Sequence, residues 1–253
     1  MKSLLFSVLA VAVASPMVFA QQNTQTLTGS YVFYEEGSGV TQPIAAIAII
    51  NFTSGGSVLG TKYWRSPGNS YKSSLLGTYS TNSDGTMTLS MVGTTLPTDG
   101  SDPIICNLNY QLLAPKSSSS TISAIRTDNG YFTIAKLIPT AAAGPLKGSF
   151  LFSEHGNGAP YAGLGALTLD GGGNLAGSER VQSIGVNTVY AITGTYSMGT
   201  DGFGTFTLNV PSTDLDGNQI VTQTSYIFVR GIDQIYAIRS DANSAFISNI
   251  FAQ

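Results

Sequence analysis

Leu27-Thr28-Gly29-Ser30-Tyr31-Val32-Phe33 and Leu146-Lys147-Gly148-Ser149-Phe150-Leu151-Phe152 are two versions of one stretch, and reading one above the other decides the fold. The correspondence runs on through Glu35, Gly37 and Gly39 against Glu154, Gly156 and Gly158. Gly55-Gly56 and Gly60 then meet Gly172-Gly173 and Gly177, and Gly77-Thr78-Tyr79-Ser80 meets Gly194-Thr195-Tyr196-Ser197. Asp84-Gly85 falls opposite Asp201-Gly202, and Ala124-Ile125-Arg126-Thr127-Asp128 opposite Ala237-Ile238-Arg239-Ser240-Asp241. Self-similarity at a fixed offset marks a duplicated structural unit, so one chain carries two copies of a single topology.

Each copy breaks into short apolar or alternating runs separated by turn residues. Thr53-Ser54-Gly55-Gly56, Asn82-Ser83-Asp84-Gly85 and Asp128-Asn129-Gly130 are hairpin signals, and Asp170 to Gly173 and Gly199 to Gly202 repeat them. No stretch after residue 20 carries a capped i, i+3, i+4, i+7 apolar stripe, so helices are not expected. The pattern predicts an all-β protein of two tandem eight-stranded antiparallel up-and-down barrels, since closing a meander removes both sheet edges. Two β-sandwiches are the alternative. The expected boundaries are a signal peptide at 1–20, a first repeat at 21–138, a linker at 139–145 and a second repeat at 146–253.

The signal peptide is read from Lys2, the apolar run Leu4 to Ala14, and Val18-Phe19-Ala20 before Gln21. It implies a secreted or periplasmic protein cleaved between Ala20 and Gln21. No later run is apolar enough for a transmembrane helix. Composition excludes more than it identifies. With 42% hydrophobic and 10% charged residues the chain is not intrinsically disordered. A net charge of −3 without a basic run leaves nucleic acid no electrostatic footprint. One His and one Cys exclude most metal and thiol chemistry, and neither cofactor nor metal is expected.

The Gly-Ser-aromatic-x-Phe opening, paired with a later Gly-Thr-Tyr-Ser and an Asp-Gly-x-Gly-Thr-x-Thr-Leu hairpin (Gly194–Ser197 and Asp201–Leu208), resembles repeats of uncharacterised secreted bacterial proteins. That resemblance brings no activity with it. The up-and-down pattern is also similar to calycin-type barrels such as lipocalins and avidins. This likeness implies a possible ligand cavity, although the lipocalin Gly-x-Trp signature is absent, the only Trp being Trp64.

Period-two alternation puts Glu35 on the face of Tyr31 and Phe33, and Arg126 on the face of Ile122 and Ala124. Glu154 and Arg239 stand at the matching places in the second copy. Buried charges need partners, so two inward structural ion pairs are expected, Glu35–Arg126 and Glu154–Arg239. No second carboxylate is expected beside either glutamate, so acid–base catalysis is not. His155, at the place of Glu36, reads as a solvated loop residue, Cys106 as a small buried hydrophobe, and Asp214 to Asn218 as a β-turn. Tyr63, Trp64 and Tyr71 flank Pro67-Gly68 and form a possible contact site for a ligand or partner. The expected function is a secreted non-enzymatic module that binds a protein, a glycan or a small apolar ligand, or is structural. The alternatives are an outer-membrane β-barrel and, less favoured, a hydrolytic enzyme.

Overall fold

The computed structural model describes residues 26–39, 42–66, 69–97, 102–113, 121–142, 144–157, 161–183, 185–213, 216, 218–232, 234–240 and 245–252. The signal-peptide stretch 1–20 and most of the turn at 214–218 therefore lie outside the described residues. All regular structure among the described residues is β-strand. The first eight strands are β1 (Gly29–Ser38), β2 (Pro43–Phe52), β3 (Ser57–Ser66), β4 (Asn69–Thr81), β5 (Thr86–Thr95), β6 (Ile104–Leu113), β7 (Ile122–Arg126) and β8 (Phe132–Pro139). Each pairs antiparallel with the next, and β8 returns to β1, which closes a barrel and excludes a sandwich for this unit.

The second set repeats the sequential order: β9 (Lys147–Asn157), β10 (Tyr161–Asp170), β11 (Asn174–Ser183), β12 (Val186–Met198), β13 (Phe203–Thr213), β14 (Gln219–Arg230), β15 (Gln234–Arg239) and β16 (Ala245–Ala252). Within it β16 lies antiparallel on β9.

The shared Gly-Thr-Tyr-Ser motif now has a physical meaning. A Cβ on Gly77 would stand 2.1 Å from the Ser90 carbonyl oxygen, and one on Gly194 2.0 Å from that of Thr207, so only glycine lets the neighbouring strand approach. Two residues on, the Tyr79 hydroxyl donates to the Leu27 carbonyl at 2.7 Å, and Tyr196 to that of Leu146 at 2.5 Å. Each tyrosine thereby ties the segment entering its unit across the end of the strands. Tyr79→Phe and Tyr196→Phe should each lower stability by about 1 kcal/mol, the usual worth of one such bond. Unchanged melting curves for both variants would remove this role.

Inward residues of the first barrel form one apolar core, including Phe33, Ile50, Leu89, Tyr110, Leu112 and Leu137. Phe152, Leu167, Phe206, Leu208 and Phe228 are part of its counterpart in the second unit. A third core joins the units. Val32, Tyr34, Ala45 and Ile47 point away from the first barrel's interior, yet they are buried against Phe203, Val229, Tyr236 and Ile238. Strand β2 is therefore covered on both faces, which is why Ile44 to Ile50 is apolar without a break.

Candidate functional site

Three places gather polar or aromatic groups. In the first barrel, Glu35 is wholly buried on β1. The Lys62 ammonium on β3 lies 2.6 Å from its Oε2, Arg126 Nη1 on β7 3.6 Å from its Oε1, and the Thr133 hydroxyl donates to Oε1 at 2.7 Å. Arg126 also donates to Asp128 at 2.8 Å and lies over the Tyr131 ring at 3.6 Å. The expected Glu35–Arg126 pair is present, but Lys62 is the closer partner. Burial alone would push the Glu35 carboxyl up; Lys62 and Arg126 outweigh it and hold it below its ordinary value.

The second unit is built differently around Glu154, on which the Arg239 charge also acts. The position of Lys62, two residues beyond the repeat glycine Gly60, is taken by Glu179, two beyond Gly177. Two carboxyls thus face one interior, Glu154 and Glu179, only 2% and 4% exposed, where no second carboxylate was expected. Gly163 makes the room, since a Cβ there would stand 2.2 Å from Glu179 Oε1. The Tyr226 hydroxyl lies 3.1 Å from both oxygens of Glu154. Tyr161 places its hydroxyl 3.1 Å from Glu179 and 3.3 Å from Glu154.

A phenol has one proton to give, so satisfying both Tyr161 contacts requires a proton on a carboxyl. Burial, and next the Glu179 charge, raise the Glu154 carboxyl to about 8; the Arg239 charge opposes this shift without overcoming it. Burial raises Glu179 as well. Arg239 itself is half-buried, its Nη2 3.5 Å from the Thr224 hydroxyl.

The aromatic cluster is divided by strand alternation. Tyr63 faces the second unit, where its ring meets Phe203 at 4.7 Å, so it belongs to the joint between the units and is not an open contact site. Trp64 stacks on Tyr71 at 4.3 Å and donates to the Ser73 hydroxyl at 3.1 Å. It lines a cavity of only about 50 Å³ with Lys62, Cys106 and Arg126. A void among Phe152, Leu167 and Tyr226 in the second unit is about 10 Å³. Neither approaches the several hundred Å³ that a small-molecule site needs.

A larger space lies outside the first barrel. On β6, β7, β8 and β1, outward side chains line a groove of about 400 Å³. One register row across it reads Gln111, Ile125, Ile134, Glu36; the next reads Ser123, Lys136, Tyr34, with Leu113 also lining the groove from β6. Leu113, Ile125 and Ile134 are all more than half exposed. The groove opens where β7, only five residues long, pairs β6 through three residue pairs. At its rim stands His155, which is not in a loop but on β9. Its Nε2 lies 3.0 Å from Glu36 Oε2, to which the Tyr34 hydroxyl also donates at 3.2 Å. Repeat-equivalent positions, Glu36 and His155, therefore meet across the joint. Beside the linker a second, more polar cleft of about 490 Å³ includes Asn51, Thr140, Asp201 and Arg230, with Asp201 held by Lys72 at 3.3 Å.

Searches for similar proteins add little to this geometry. No protein-family model and no curated protein matches the chain. Among solved structures, kievitone hydratase from Nectria haematococca aligns over 95% of this chain and 94% of its own, at 9% identity and a TM-score of 0.26. A likeness that slight carries no argument about activity.

Proposed function

We propose that the protein is an exported, non-enzymatic binding module of two tandem eight-stranded up-and-down barrels, which takes a small apolar ligand on the outside of the first barrel. The observation that carries this reading is the 400 Å³ groove over Ile125 and Ile134, apolar across its floor with a few polar groups at its edge. Such an opening on an exposed sheet face is the kind of apolar patch that marks a binding surface. The site differs from the internal cavity that a calycin likeness implies, because the interior space is filled by side chains. Export rests on the sequence of residues 1–20.

A non-enzymatic role is favoured by the burial of Glu154 and Glu179, only 2% and 4% exposed, which keeps both carboxyls from a substrate in solution. No helix among the described residues is long and apolar enough to cross a membrane, which says nothing about strands. Against the outer-membrane alternative stands the direction of the alternation. Phe, Leu and Met side chains fill the first interior, while Thr and Ser occupy much of the outer face of β4 and β5; a membrane barrel is apolar outside and polar within.

Fluorescence titration with the neutral probe N-phenyl-1-naphthylamine tests the groove. Ile125→Asp and Ile134→Asp should each weaken binding at least about tenfold, since a charge in an apolar site costs more than the 1.4 kcal/mol this represents. Leu76→Asp, on the exposed face of β4 away from the groove, should leave binding intact. Equal losses in all three variants, or no binding to the unaltered protein, would reject the site.

A further inference from the structure

The groove's charges are not equivalent, and the difference selects a ligand. Glu36 already has two partners, the Tyr34 hydroxyl and the His155 ring, both on Oε2. Lys136 lies in the middle of the groove's second row, directly opposite Tyr34 on β1 and Ser123 on β7. Among the described residues, no acidic side chain pairs with it. Its neighbours along β8, Ala135 and Leu137, point into the barrel, so its stem lies on the outer face beside Ile134. An apolar row over Ile125 and Ile134, bordered by a row whose ammonium has no acidic partner among the described residues, is complementary to a molecule that is apolar at one end and anionic at the other.

We infer that the ligand of the groove is a small amphipathic carboxylate, its apolar body over Ile125 and Ile134 and its carboxylate on the Lys136 ammonium. This rests on the groove being the binding site, and it adds the chemical class of the occupant. Ser123 supplies a hydroxyl in the same row, directly opposite Lys136, as a second donor to the head group. The pair Glu36–His155 borders the far side, where its carboxylate opposes entry of the anion from the joint between the units and leaves Lys136 as the head-group end.

Competition against bound N-phenyl-1-naphthylamine separates the two claims. Decanoate, decanol and decylamine share a chain and differ in head group. Decanoate should displace the probe at about fivefold lower concentration than decanol, the scale of a partly exposed ion pair. Lys136→Met should bring the two midpoints together, and Lys136→Arg should keep them apart. Melting followed by Trp64 fluorescence checks that each variant is folded. If the probe binds but decanoate and decanol compete equally, or the gap survives Lys136→Met, the carboxylate assignment is overturned and the groove stands. If decylamine is the best competitor, Glu36 and not Lys136 selects the ligand, and the assignment also falls. If the probe does not bind the unaltered protein, both claims fall together.

Discussion

Glu35→Ala should destabilise the first barrel by about 3–5 kcal/mol, the cost of leaving a buried charge without its partner. The effect is large because two cations depend on one carboxylate. Arg126 keeps Asp128 at 2.8 Å, but Lys62 is 4% exposed and has Glu35 as its only ion-pair partner among the described residues. The sole Trp of the chain, Trp64, stands on the same strand as Lys62, so its fluorescence reports on this barrel. For a unit of this size the midpoint of thermal unfolding should fall by on the order of 10–20 °C. The double variant Glu35→Leu with Lys62→Met should recover part of that loss, since replacing a buried pair by apolar groups is far milder than breaking it. A melting curve unaffected by Glu35→Ala would show that the charges are solvated and the barrel end open.

Raising the pH should loosen the second unit while leaving the first intact. Glu154 has its carboxyl raised from 4.5 to about 8 in the folded protein. The folded unit therefore holds a proton that the unfolded chain has released. Its contribution to stability is complete below about pH 4.5, and it declines as the pH rises through about 8. At 1.36 kcal/mol for each pH unit between those values, the loss is on the order of a few kcal/mol.

Glu35 has the opposite sign: held below its ordinary value, it stabilises above that value and fails in acid. Amide exchange should show protection in β9, β10 and β14 falling between pH 4.5 and 8, with β1 to β8 unchanged. Glu154→Gln, neutral at every pH and close in shape to the protonated acid, should flatten the dependence and stabilise the unit at pH 8. Glu179→Lys should flatten it too, by giving Glu154 the partner that Lys62 gives Glu35. Protection that stays constant or rises with pH in the unaltered second unit would contradict the shared-proton arrangement.

Much of the fold was legible in the sequence because its markers are local and occur twice. Glycines that admit a neighbouring strand, tyrosines that tie in the entering segment, and Asp-Gly turns all stand at matching positions. The inward placement of Glu35, Arg126 and Glu154 followed from alternation alone. Lys62 and Glu179 obey the same rule, one position beyond Gly60 and Gly177 on the inward face, but the copies differ in charge there. Because the two copies carry opposite charges there, matching them residue by residue does not single the position out.

The unbroken apolar run of β2 was a visible sign that its second face is covered, though not of what covers it. His155 meeting Glu36 depends on how the units dock. The groove depends on residues from four strands, Tyr34, Leu113, Ile125 and Ile134, that become neighbours only through register. Neither is written in any local stretch. Tyr63 and Trp64 teach the same lesson in reverse: adjacent in sequence, they face opposite ways, one into the joint and one into the barrel.

The central claim is that both interiors are filled and that binding occurs on the outer face of β6, β7, β8 and β1. A crystal structure of the protein with N-phenyl-1-naphthylamine tests it most directly. The account predicts the naphthyl ring over Ile125 and Ile134, beside Lys136. Density for the probe in the interior of either unit, next to Glu35 or Glu154, would contradict it.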